Sequence, residues 1–258
     1  MGLGGSVAMI EVNKLVKKYG SHQALREISF KVNKGEIVGL LGPNGAGKST
    51  TMKILSGFMP ATSGEVIVAG HDIVDEALDV KRKVGYLPEH PPVYPELRVR
   101  EYLDYVASIK QVPSSERPER LDYIIERCGL KSRAGQIIGT LSKGYQQRVG
   151  IAQALVHNPE VVILDEPTVG LDPVQIVEIR NLIRSLANSH TVILSTHILP
   201  EVVMTCSRVL LINMGTILVD GSVESLTHGS GESLEQAYLR IVSQDAANLV
   251  ESTQSGNA

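Results

Sequence analysis

One short glycine-bounded loop near the start of the chain constrains the fold more than any other feature. Gly42, Pro43, Asn44, Gly45, Ala46, Gly47, Lys48, Ser49 and Thr50 run in the order Gly-x-x-x-x-Gly-Lys-Ser-Thr, which fills every fixed position of the P-loop pattern. Glycines let the backbone wrap closely, so that successive N–H groups face phosphate oxygens. Lys48 brings a compact positive charge to the β and γ phosphates of a nucleotide, and the Ser49 hydroxyl is a ligand for Mg²⁺. The pattern needs a strand before it and a helix after it. Residues 37–41 (Ile-Val-Gly-Leu-Leu) read as a short buried strand, and 49–58 place Met52, Ile54, Leu55 and Phe58 as a helix would. The positive end of that helix then points into the cradle.

A phosphate cradle hydrolyses nothing without carboxylates on a neighbouring strand. Val161-Val-Ile-Leu-Asp165-Glu166-Pro167 supplies four apolar residues followed by paired acids. Asp165, at the strand end, suits Mg²⁺ held through water. Glu166, pointing the other way, can orient and deprotonate an attacking water. His197 follows a strand at 191–195 and can donate a hydrogen bond to the γ-phosphate, although a lone histidine after a strand is more often structural.

Around these motifs the texture is that of an α/β chain. Alternation begins at Met9, so residues 1–8, rich in Gly and Ser, read as an extension. Residues 9–30 read as short strands broken by a turn at Tyr19-Gly20-Ser21, and 64–74 return to strand character. From Pro91 to about Leu155 strand signals vanish. Helices are expected over 98–109 and 120–128, with a Pro/Ser-rich linker at 113–118 between them, giving a helical sub-domain at about 91–156. Strands at 161–164, 191–195 and 208–212, with a helix over 174–186, imply a mostly parallel sheet. Leu234, Ala237, Tyr238 and Ile241 share one face of a short helix, and after Gln244 the chain turns polar and is expected to fray.

Composition removes several function classes. The net charge of −3, from 25 basic and 28 acidic residues, offers no nucleic-acid-binding field. Cys128 and Cys206 are far apart, with no metal-ligand spacing, and read as buried apolar residues in a reducing compartment. No apolar run reaches the 18 residues or so of a membrane span, and no secretory signal is seen. The expected place is the cytosol, unless a partner holds the chain at a membrane.

Leu141-Ser142-Lys143-Gly144-Tyr145-Gln146-Gln147-Arg148 lies 23 residues before Asp165, counted from Ser142. This segment resembles the LSGGQ signature of ATP-binding cassette (ABC) ATPases, with Lys143 and Tyr145 in place of Gly and Gln. The resemblance covers about residues 9–241 as one domain. It implies a P-loop NTPase core with a mostly parallel sheet, an N-terminal antiparallel β sub-domain and an inserted helical sub-domain. It further implies that Tyr19 stacks on adenine, and that Ser142 and Gly144 cap the γ-phosphate held by a second copy of the chain. Val169-Gly170-Leu171-Asp172 looks like the loop linking two sites across such a homodimer, and His197 like the switch histidine. In Tyr86-Leu87-Pro88-Glu89 a glutamate stands where the family usually has glutamine; a carboxylate is an acceptable Mg²⁺ ligand but adds charge near the γ-phosphate. This Glu89, the Leu-Ser-Lys-Gly-Tyr run and Ser233–Leu239 are similar to an exporter-type subset of gliding-motility and drug exporters.

The resemblance implies ATP and Mg²⁺ as cofactors and a separate multi-span membrane permease as partner, docked at about 89–105. It also implies a position on the inner face of the cell membrane and no nucleic acid. The alternative is a soluble, non-transport ABC ATPase of the cofactor-assembly type. Translation-type members usually carry two cassettes, and chromosome-type members need a coiled-coil insertion that the 117 residues from Lys48 to Asp165 do not accommodate. A nucleoside kinase would not need the signature.

Overall fold

The computed structural model describes residues 7–187, 189–222, 225 and 235–243. Strands β1 (Ala8–Tyr19) and β2 (His22–Asn33) pair antiparallel across the Gly20-Ser21 turn. They are longer than the short strands expected, because bulges carry the ladder through its charged stretches. Lys14 and Glu27 take φ of 47° and 53°, and the register shifts between Val12 and Leu15. With β4 (Ser63–Val68) and β5 (His71–Asp72) they form a four-stranded antiparallel sheet. The single strand expected over 64–74 is broken at Ala69-Gly70, where both residues have positive φ.

The second sheet joins β3 (Ile37–Leu41), β6 (Val84–Leu87), β7 (Val161–Asp165), β8 (Thr191–Thr196), β9 (Arg208–Asn213) and β10 (Thr216–Ser222). Its spatial order is β10-β9-β3-β8-β7-β6, parallel throughout except for β10, which is antiparallel to β9. Strands β3, β7 and β8 are buried along their whole length, since both faces are covered. Val38 and Leu40 face a core shared with the antiparallel sheet and helix α1 (Lys48–Leu55). Ile37 and Leu41 face the other core, under α3 (Val99–Ile109), α4 (Arg117–Arg127), α5 (Lys143–Leu155) and α6 (Pro173–Leu186).

The 113–118 linker is shorter than expected. Arg117 and Pro118 belong to the first turn of α4, where the missing N–H of proline costs nothing. Strands β6 and β10 and the short helices α2 (Ala77–Lys83) and α7 (Leu199–Thr205) were not foreseen. A helix over 235–243 buries Ala237 and packs Tyr238 and Ile241 on the core. Residues 1–6, Leu234 and the tail from 244 lie outside the described residues.

Register is what builds the site. Leu41 pairs with Thr196, Asp165 with Ser195, and Leu87 with Leu164. The carboxyl ends of β3, β8, β7 and β6 therefore finish level, and the loops after them share one edge of the sheet, where open α/β sheets bind ligands.

Candidate active site

The loop from Gly42 to Gly47 leaves β3 under tight steric limits. A Cβ on Gly42 would lie 2.1 Å from the Ile212 carbonyl oxygen, and Gly47 takes φ of 109° against Leu25 and Ala24. No other residue type fits either place. The loop is pinned from behind, since Gly215 N–H donates to the Ala46 carbonyl at 2.9 Å. Lys48 opens α1 and is almost wholly buried; its Nζ donates to the carbonyls of Gly42 (2.8 Å) and Pro43 (3.1 Å). The same ammonium is 3.4 Å from Glu166 Oε1.

Asp165 Oδ1 accepts from two hydroxyls, Ser49 at 3.1 Å and Ser195 at 2.5 Å. Burial pushes its carboxyl above the ordinary carboxylate value; the two hydrogen bonds oppose that, and the negative charges of Glu166 and Glu89 add to it. Glu166 holds a left-handed backbone, φ 49°, a conformation that costs a non-glycine residue energy. Its N–H donates to Ser195 Oγ at 2.9 Å. Its Oε2 lies 3.0 Å from His197 Nδ1. A carboxylate only accepts, so Nδ1 carries the proton and Nε2 remains for another partner.

Lys48, Ser49, Glu166 and His197 border one cleft of about 640 Å³, lined also by Tyr19, His22, Ala24, Asn44, Gly45, Gly47, Thr50, Glu89 and Val169. Tyr19 is half exposed, with its hydroxyl on Met59 Sδ at 2.9 Å. The sequence reading missed His22 and Ala24, which the β1–β2 hairpin brings beside the cradle, and it missed Ser195. No spacing signal marks Ser195; it acts through its position opposite Asp165 in the sheet. Ser142 and Gly144 do not line this cleft. Ser142 stands at the N-cap position of α5 with no capping bond from its hydroxyl and is exposed, while Gly144 is buried against Gln175, whose Cδ would be 2.5 Å from a Cβ added there.

The donor set suits a divalent cation. Glu166 and Glu89 line the cleft, Asp165 is buried beside it on the Ser49 hydroxyl, Lys48 is the one cation among the lining residues, and Ser49 adds a hard oxygen. Among the described residues no helix is long and apolar enough to cross a membrane.

A glycine cradle at a helix start, with a buried aspartate and a glutamate on a nearby strand, defines a P-loop nucleoside triphosphatase. The profile of the ABC transporter family matches residues 25–169. The chain belongs to that family, as its ATP-binding and ATP-hydrolysing subunit. It is 39% identical over 241 residues to YdbJ, an uncharacterized ABC transporter ATP-binding protein of Bacillus subtilis (strain 168), covering 93% of this chain and 76% of the relative. It is 37% identical over 229 residues to the bacitracin transport ATP-binding protein BcrA of Bacillus licheniformis, covering 88% and 74%. Among solved structures, the dimeric post-hydrolysis form of the ATP-binding cassette MJ0796 bound to ADP and Pi superposes with a TM-score of 0.75. The identity there is 27%, over 83% of this chain and 98% of that one.

Proposed function

We propose that two copies of this chain close around two MgATP molecules and so drive a separate membrane permease that exports its cargo. The observation that carries this reading is the separation of the signature from the cleft. Lys48, Ser49, Asp165, Glu166 and His197 converge within one chain, whereas Ser142 and Gly144 face elsewhere. A γ-phosphate held by Lys48 then receives its second set of contacts from the partner copy, and the MJ0796 cassette is itself a dimer.

In that arrangement Tyr19 offers its ring to the adenine, and the N–H groups of 42–47 with Lys48 hold the phosphates. Ser49, Asp165 and Glu89 would hold Mg²⁺, which, when bound, offsets charge on the β and γ oxygens. Glu166 takes a proton from water as the water oxygen bonds to the γ-phosphorus and the bond from phosphorus to the ADP oxygen breaks. His197 Nδ1–H fixes the Glu166 carboxylate, leaving Nε2 toward the cleft. Hydrolysis separates the copies, because the nucleotide joins them.

Tyr94 and Tyr105 support docking of the permease at about 89–105: both are half exposed, with ring centroids 5.7 Å apart. Such docking would hold the chain at the inner face of the membrane. Export is supported by the Leu-Ser-Lys-Gly-Tyr run and by the transport role in the name of BcrA.

The test is Glu166→Gln, which keeps the size of the side chain but removes the base. With MgATP it should accumulate as a dimer by size-exclusion chromatography while barely turning over. A monomer under saturating MgATP, or hydrolysis at the wild-type rate, overturns the assignment. Co-purification with a multi-span membrane protein separates transport from a soluble scaffold role.

A further inference from the structure

Beneath the cleft lies a carboxylate that the chemistry does not use. Glu201, in the first turn of α7, is 5% exposed and makes no ion pair among the described residues. Its two oxygens accept from two threonine hydroxyls, Oε1 from Thr168 at 2.5 Å and Oε2 from Thr196 at 2.7 Å. A buried carboxyl group held only by hydroxyls is a costly way to fill a core, and an apolar side chain would fill it at less expense. The two threonines therefore indicate what the carboxylate does.

Thr168 begins the turn that leads into the Val169–Asp172 loop, with Leu171 N–H donating to its carbonyl. Thr196 ends β8 immediately before His197, and its Oγ1 also accepts from Ile198 N–H, shaping the turn that aims the histidine. Gln147 Nε2, on the signature helix α5, donates to the Pro167 carbonyl at 2.9 Å on the same turn. Among the described residues Glu201 is thus bonded both to the loop that leads away from Glu166 and to the turn that carries His197.

We infer that Glu201 is a positioning residue for ATP hydrolysis, linking the 167–172 loop to the His197 turn so that the two shift as one body. Through this link, movement of the 167–172 loop against a partner copy resets the His197–Glu166 contact, and an arriving partner tightens the base. The inference rests on the dimeric reading of the site.

The test is a mutant cycle on the full chain. Thr168→Val and Thr196→Val each remove one hydroxyl at nearly constant volume. Each should lower kcat about tenfold, the worth of one charge-assisted hydrogen bond, with Kd for MgATP unchanged. Because both cut the same link, the double variant should be no slower than the worse single variant. Thr168→Ser and Thr196→Ser, which restore the hydroxyls, should recover the rate. Glu201→Gln, read beside thermal melts, should lose kcat without loss of MgATP binding. Single effects that multiply in the double variant, serine variants that fail to rescue, or a folded Glu201→Gln with wild-type kcat each overturn the inference. If Glu166→Gln is inactive while these variants are normal, only the link is wrong. If Glu166→Gln is itself active, the reading of the site fails.

Discussion

Replacing Ser195 by alanine tests whether the sheet, and not the nucleotide alone, prepares the Asp165 carboxylate for the Mg²⁺ role proposed for it. The Ser195 hydroxyl is fully buried, donates to Asp165 Oδ1 at 2.5 Å and accepts from Glu166 N–H at 2.9 Å. The second bond has a substitute, because the same N–H also reaches the Ser195 carbonyl at 3.2 Å. The first has none. A hydrogen bond to a charged group contributes about 1.5–3 kcal/mol, so Ser195→Ala should cost about 2 kcal/mol. For a chain of this size that lowers Tm by about 4–8 °C.

The same loss acts on binding. The hydroxyl favours the ionised carboxylate against the effect of burial, so without it the Asp165 value rises further. Protons and Mg²⁺ compete for that oxygen, and the acid limb of MgATP affinity must move to higher pH. The assay is calorimetric Kd for MgATP across pH 5 to 8 for wild type, Ser195→Ala and Ser195→Thr, with melts in parallel. Threonine keeps the hydroxyl and suits a strand, and should behave as wild type. A lower Tm with an unshifted acid limb would show that Ser195 only packs. An unchanged Tm would show that its bond adds nothing net.

The remaining expectations concern the other walls of the site. Lys48→Ala should abolish tight MgATP binding, and unchanged calorimetric affinity would contradict the cradle. Asp165→Asn should raise Tm of the nucleotide-free protein at neutral pH by about 2–4 °C while losing Mg²⁺-dependent affinity, since functional sites give up about 1 kcal/mol in this way. The sign follows from the raised carboxyl value: the folded chain keeps a proton that the unfolded chain releases. Its contribution is greatest below the unfolded value and is lost as pH climbs through the folded one, so the variant should also flatten that part of the Tm–pH curve. Gly144→Ala pushes only against the flexible end of Gln175; binding of ATP to one chain should persist while hydrolysis falls at least tenfold, and normal hydrolysis would remove the signature from the site. Tyr19→Ala should weaken ATP by about 1–3 kcal/mol, the range for a stacked base, whereas Tyr19→Phe should not.

The legible parts of this fold were those whose signal is local. The Gly42–Thr50 loop announces itself by residue type, and β3, β7 and β8 by unbroken apolar runs between turns. Strand β6 escaped because four residues with Gly85 among them carry no period, and its pairing with β7 supplies what propensity does not. Helix α7 has a proline in its first turn and only seven residues, and β10 is an edge strand with mixed exposure. At the site, Lys48, Asp165 and Glu166 could be placed from spacing, but Ser195, through strand register, and Glu201, from α7, each act across about thirty residues. The resemblance supplied Tyr19, Ser142, Gly144, the linking role of Val169–Asp172 and the switch role of His197, which no local rule marks.

The strand order has a further consequence for synthesis on the ribosome. In space β8 sits between β3, which carries the cradle, and β7, which carries Asp165 and Glu166. In the chain it comes last of the three. A nascent polypeptide that has emerged only through β7 holds both halves of the chemistry but no strand to bring them into register. The cradle and the acidic pair therefore come into register only once the segment through Thr196 has been made and has paired between them.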